Sequence, residues 1–190
     1  MRYGVLAGVG VAIVIVSLFF GVQEHNERFG NVHFPITCVG EVQGTFNQGV
    51  AALHSFEYAH ARRLFTRVAE RDPACGMAHW GIAMTRWHTL WERPQTDILE
   101  RGLEDIEKAE TLVRTPREKI YVEAAKHFFR GFNNRDHLMR VRDYTAVMKK
   151  IYDAYPDDLN AAAFYALSLN AMIDPHDRLL TLQFEAGKIL

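Results

Sequence analysis

The 190-residue sequence predicts an all-α domain of stacked antiparallel helical hairpins behind an N-terminal apolar segment. Three observations carry this. Beyond about residue 41, nearly every stretch repeats its apolar residues with a 3.6-residue period. The links between these stretches are short, which makes successive helices antiparallel neighbours. No segment alternates convincingly as a strand. Composition agrees with a folded domain: 48% of residues are hydrophobic and 24% charged. A net charge of −1, with no basic stripe, gives nucleic-acid binding no electrostatic support.

The elements follow in order. Gly4 to Val22 is a run of 19 residues without a charge, with Ser17 its only polar side chain. At about 1.5 Å rise per residue it spans roughly the 30 Å of a bilayer core. Arg2 precedes it and Gln23-Glu24-His25-Asn26-Glu27 follows, which keeps the N-terminus cytoplasmic and translocates the rest. Two readings stand, an uncleaved anchor and a cleaved signal. The run is longer than a signal core, and its end, Leu18-Phe19-Phe20-Gly21-Val22, lacks a clear small-residue cleavage pattern. Residues 1–22 are therefore the transmembrane or signal segment, 23–40 a polar linker, and 41–190 the helical domain, placed in the periplasm or another extracytoplasmic space. Cleavage would instead release the domain as a secreted protein.

Within the linker, Pro35 biases Phe34 towards extended geometry, so His33-Phe34-Pro35-Ile36-Thr37 leads into a helix rather than forming one. Phe46, Val50, Leu53 and His54 share one face of a helix at about 41–55. Tyr58, Ala61, Leu64, Phe65 and Val68 do so at about 57–71, where Asp72-Pro73 stops the helix. Met77, Trp80, Met84 and Trp87 mark a third, at about 75–90. After a break around Pro94, Thr96 or Asp97 caps a helix carrying Leu99, Leu103, Ile106, Ala109 and Val113. Pro116 opens a helix to about 131, a further one runs over about 137–154, and Ala161 to Ile173 is apolar almost all round. The last helical pattern is still running at Leu190. A repeat array needs a polar terminal cap, so the sequence is expected to belong to a longer protein.

A fixed-period comparison of the chain with itself sets Gly49 and Gly81 at 32 residues apart, each in the first helix of a pair. From Gly49 the chain reads Gly49-x6-Phe56-x-Tyr58-x2-Ala61-x3-Phe65-x2-Val68-x4-Pro73. Small residues stand where two helices approach closely, aromatics fill the gaps, and proline ends the second helix. This pattern resembles the tetratricopeptide repeat over residues 41–88. Phe56 stands where that family usually has glycine, and the segment around Pro94 lengthens the next turn. More narrowly, His33-Phe34-Pro35, Cys38, Phe46-Asn47, Leu53-His54-Ser55-Phe56 and Trp80-Gly81-Ile82-Ala83-Met84 resemble a group of longer, exported bacterial tetratricopeptide proteins. The resemblance implies a fold more than an activity. It also implies a concave groove that holds a segment of another protein, walled by Phe46, Val50, Leu53, His54, Ala78, Ile82, Thr85 and Arg86.

Residues that could carry chemistry are few. Cys38 and Cys75 are the only cysteines; in an exported domain they either pair as a disulfide or stay as two buried thiols. Nine histidines include no His-x3-His pair, although His33, His54 and His88 could form a metal or haem site. The plainer reading makes them half-buried amphipathic side chains. Trp80, Trp87 and Trp91 fall on one helical stripe, either core or an aromatic anchor for a partner. Asp157-Asp158 reads as a turn and cap, and Arg114, Arg117, Glu118 and Lys119 as a solvated first turn. There is no phosphate loop, no nucleophile elbow and no nucleophile–base pair. The leading expectation is a binding module for a protein or peptide, without a cofactor. The rival is a histidine-based metalloprotein or enzyme whose site is completed by sequence beyond residue 190.

Overall fold

The computed structural model describes residues 29–172 and 179–190, and within them every regular element is helical. The helices are α1 (Gln43–His54), α2 (Tyr58–Arg71), α3 (Gly76–Met84), α4 (Thr96–Leu112), α5 (Pro116–Phe129), α6 (His137–Ala154), α7 (Leu159–Ala171) and α8 (Thr181–Ile189). A 3-10 turn, Gly40–Val42, leads into α1. Each helix packs on the next in the chain, and α3 also touches both α1 and α5. The apolar run 4–22 lies outside the described residues. Among the described residues, no helix is long and apolar enough to cross a membrane.

Local chemistry sets the boundaries. At the start of α5, the Thr115 hydroxyl accepts the Glu118 amide while the Glu118 carboxylate accepts the Thr115 amide, and Pro116 occupies the first turn. Asp136 caps α6 and Asp158 caps α7 through their carboxylates. Neither Thr96 nor Asp97 caps α4; Gln95 holds that position without a side-chain bond.

The pairing of α1, α2 and α3 turns on one ring. A methyl group on Gly49 would sit 2.7 Å from the Phe65 ring, and one on Gly81 would sit 2.5 Å from it. The two glycines spaced 32 apart therefore clamp the same phenylalanine from two helices, a contact that close packing allows only without a Cβ.

The third helix is shorter than its periodicity predicts. It ends at Met84, because the Thr85 hydroxyl donates to the Ile82 carbonyl and the Arg86 amide turns back to the Ala83 carbonyl. The three tryptophans consequently share no stripe. Trp80 is buried in the centre. Trp87 stacks on Phe128 with centroids 3.7 Å apart, and Trp91 is 63% exposed.

Candidate functional site

The residues leading into α1 are no loose linker. From Asn31 to Val39 their burial alternates: Val32, Phe34, Ile36 and Cys38 turn inward, while Asn31, His33, Pro35, Thr37 and Val39 are exposed. Phe34 is wholly buried. Its ring meets Phe46 of α1 at 5.5 Å, Trp80 of α3 at 5.4 Å and Tyr121 of α5 at 4.9 Å between centroids. The Arg117 guanidinium lies 4.2 Å from the Phe34 centroid and 4.8 Å from that of Tyr121, so a cation lids this aromatic socket.

Side chains from distant parts of the chain read the segment's backbone. The Phe34 amide donates to Asn47 Oδ1 at 3.1 Å, and Gln43 Nε2 donates to the Phe34 carbonyl at 2.8 Å. Gln43 Oε1 also accepts the Ile36 amide at 3.2 Å. Arg117 Nη1 donates to the Pro35 carbonyl at 3.1 Å, and Asn160 Nδ2 to the His33 carbonyl at 2.9 Å. Glu118 accepts both the Thr37 amide, at 2.7 Å, and the Thr37 hydroxyl. Next to this run, Cys38 is joined to Cys75 in a disulfide, and the Val39 amide donates to Asp72.

Charged groups join the seat to the helices around it. Glu118 is 2% exposed; burial opposes its charge, but the Thr37 hydroxyl and the Thr37, Thr115 and Arg114 amides outweigh that and hold its carboxyl below the usual range. Asp158 accepts from Arg117 Nε at 2.8 Å and from the Tyr121 hydroxyl at 2.9 Å, linking the cap of α7 to the socket. Burial, then the Asp158 charge, raise the Tyr121 phenol. The supposedly solvated first turn at 114–119 is thus partly interior, since Arg117 and Glu118 face the segment.

Beside the segment lies a cleft of about 720 Å³, walled by His33, Pro35, Tyr155, Asp157, Leu159 and Ala163 among others, with His54, Arg117 and Asn160 also on its lining. His54 Nε2 stands 3.4 Å from Asn160 Oδ1, and its ring lies 4.5 Å from that of Phe164. Since Asn160 Nδ2 donates elsewhere, its Oδ1 is the acceptor and His54 the donor. Burial pulls the His54 imidazole below its ordinary value, against the Asn160 bond.

The groove wall expected from the repeat pattern needs correction. Phe46, Val50 and Ala78 are fully buried, and Leu53, Ile82 and Thr85 are at most 9% exposed. They belong to the interior and not to an open groove; Phe34 of the same chain packs on Phe46. Arg86 is half-buried and spent on Asp105 at 2.7 Å. Of the eight, His54 alone lines the cleft.

The trio His33, His54 and His88 does not converge either. His88 stacks on Tyr58 at 4.2 Å and bonds Glu92, whereas the other two line the cleft. Among the described residues only Cys38, Asp72 and Cys75 bring three ligating atoms within 4.8 Å of one another, and both sulfurs are committed to the disulfide. Gln43, Asn47, Arg117, Glu118 and Asn160 were not singled out as one site from the sequence. A faint signal existed: Val32, Phe34 and Ile36 alternate, and Gln43 and Asn47 stand four apart on one helix face.

Comparison of the chain with protein-family models, curated proteins and solved structures finds no match.

Proposed function

We propose that this chain is a helical-repeat binding module of the tetratricopeptide type, which holds an extended segment of another protein in the cleft beside residues 31–35. We further propose that the apolar run 4–22 tethers it to a membrane, with the helices on the exoplasmic side. The observation that supports binding is the seat of residues 33–39. Glutamine, asparagine, arginine and glutamate side chains from α1, α5 and α7 bond an extended backbone there, while an aromatic socket takes one ring. Sites that take an extended peptide divide their labour in that way, backbone bonds for affinity and pockets for specificity. The open cleft continues this surface with a mixed lining, in which Leu159, Pro156 and Ala163 alternate with polar and charged groups such as His54, Arg117 and Asp157.

The test is selection of a random peptide library on the full-length, oxidised protein. Enriched peptides should lose at least tenfold in affinity for Ala163→Trp, whose indole fills the cleft from the half-buried Ala163 position. Circular dichroism should be unchanged by that substitution. No enrichment, or enrichment indifferent to Ala163→Trp, would rule out the cleft as the binding surface.

A further inference from the structure

We infer that the seat of residues 33–39 is an exchangeable peptide site: closed in cis while the Cys38–Cys75 bridge is oxidised, and open on its reduction to an extended partner segment that reads aromatic, proline, any residue, then threonine or serine. This rests on the reading of the chain as a binding module, and it names both the partner's chemistry and the control of its access.

The seat itself specifies the pattern. The socket of Phe46, Trp80 and Tyr121 under Arg117 takes a flat ring. At the next position the carbonyl accepts from Arg117, the side chain is exposed and no amide donor is required, which suits proline. The third position offers its amide to Gln43. The fourth must supply both an amide and a hydroxyl to Glu118, which selects threonine or serine. None of these contacts depends on the segment being continuous with α1. A free peptide of that pattern presents the same groups.

Continuity matters through competition. A tethered segment acts at a high effective concentration that a free peptide cannot match. Two tethers hold it, the 3-10 turn into α1 and the disulfide that follows Thr37 directly. Cys75 is buried at the start of α3, whereas Cys38 is half-buried between exposed Thr37 and Val39, so Cys38 is the sulfur within reach of an attacking thiolate. An external dithiol supplies the reductant. One of its thiolates attacks Cys38 Sγ, the Cys38–Cys75 bond breaks and Cys75 leaves as a thiol. The second thiol of the reductant then displaces Cys38, so the reagent ends as its own disulfide and the protein holds two thiols. The segment is thereafter freed from α3 and keeps one covalent tether, the short link through Gly40–Val42 into α1.

The experiment uses the full chain and a fluorescein-labelled peptide, Val-His-Phe-Pro-Ile-Thr, followed by anisotropy with and without dithiothreitol. Binding should be at least tenfold tighter to the reduced chain, and to Cys38→Ser without reductant, than to the oxidised chain. Alanine in place of the peptide's phenylalanine, or valine in place of its threonine, should each cost at least tenfold. Equal affinity in both redox states overturns the inference. So does a reduced chain that doubles its mass by light scattering and binds no peptide, which would assign the seat to a second copy's segment. Helix loss in both the reduced wild type and Cys38→Ser would reduce the bridge to a structural staple and overturn it too. Ala163→Trp-sensitive library binding without redox-gated peptide binding overturns this inference and leaves the binding module standing. Failure of both removes the two together.

Discussion

Two aromatic clusters differ in how far they are covered. In the inner one, Phe34, Phe46, Trp80 and Tyr121 are each at most 1% exposed. At the rim, Phe56 and Trp91 meet at 5.3 Å beside the stacked Tyr58 and His88, yet Trp91 is 63% exposed. The residue types are the same; what differs is a cover. An extended segment closes the inner cluster, and its polar backbone is acceptable there because side chains satisfy it. Nothing among the described residues closes the rim, and Phe56 holds its ring there from a left-handed backbone, φ 62°, which costs a residue with a side chain about 1–2 kcal/mol.

The largest effect that would break this contrast is Phe34→Ala. It should cost about 3–5 kcal/mol, read by urea denaturation, because it empties a fully enclosed socket. If it costs under about 1 kcal/mol, the segment is not part of the core. Losing the bridge by Cys75→Ser should lower stability by about 4 kcal/mol, as the chain-entropy model gives for a loop of this length. Smaller again is Glu118→Gln, which weakens the acceptor for both Thr37 groups; about 1–3 kcal/mol is expected, with faster amide exchange at Thr37.

Acid should loosen the fold by another route. Burial lowers the imidazoles of His54, His79 and His127, and with the Arg140 and Arg93 charges brings His137 to about 4. Groups whose folded pKa is depressed bind more protons when unfolded. Their contribution is complete above the unfolded value near 6.5 and is lost as pH falls towards 4. The melting temperature should thus hold from pH 8 to 7 and drop by roughly 5 °C or more by pH 5, with a smaller drop in His137→Phe. A flat profile would show these histidines to be solvated. The smallest effect belongs to the rim: Trp91→Ala should change stability by less than about 0.5 kcal/mol, and Phe56→Gly should raise it slightly by relieving the backbone.

How much of this was legible follows from the range of the interactions. Helix-forming periodicity is local, and the helices stand close to where the apolar spacing of Phe46 to Val113 puts them. The glycine pair was visible by its 32-residue spacing, although its shared partner, Phe65, was not. The end of α3 is not legible, because apolar spacing continues through Trp87 while a side-chain bond from Thr85 closes the helix at Met84. That Phe46 and Val50 share one helix face was legible; that this face is covered, and is no open groove, was not. The segment that packs on Phe46 is short and takes its partners from 81 and 127 positions away, at Glu118 and Asn160. No local pattern encodes such pairings.

Those separations impose an order in time. His33 to Thr37 leave the ribosome before α5 and α7 exist, yet Glu118 and Asn160 are needed to seat them. At about 5–20 residues per second, the earliest-made part of the described chain waits on the order of 10 s for its last partner. Until then Phe34 is an unsheltered ring on a nascent strand, available to any chaperone that meets it. Residues 33–37 thus settle only after the helices made long after them.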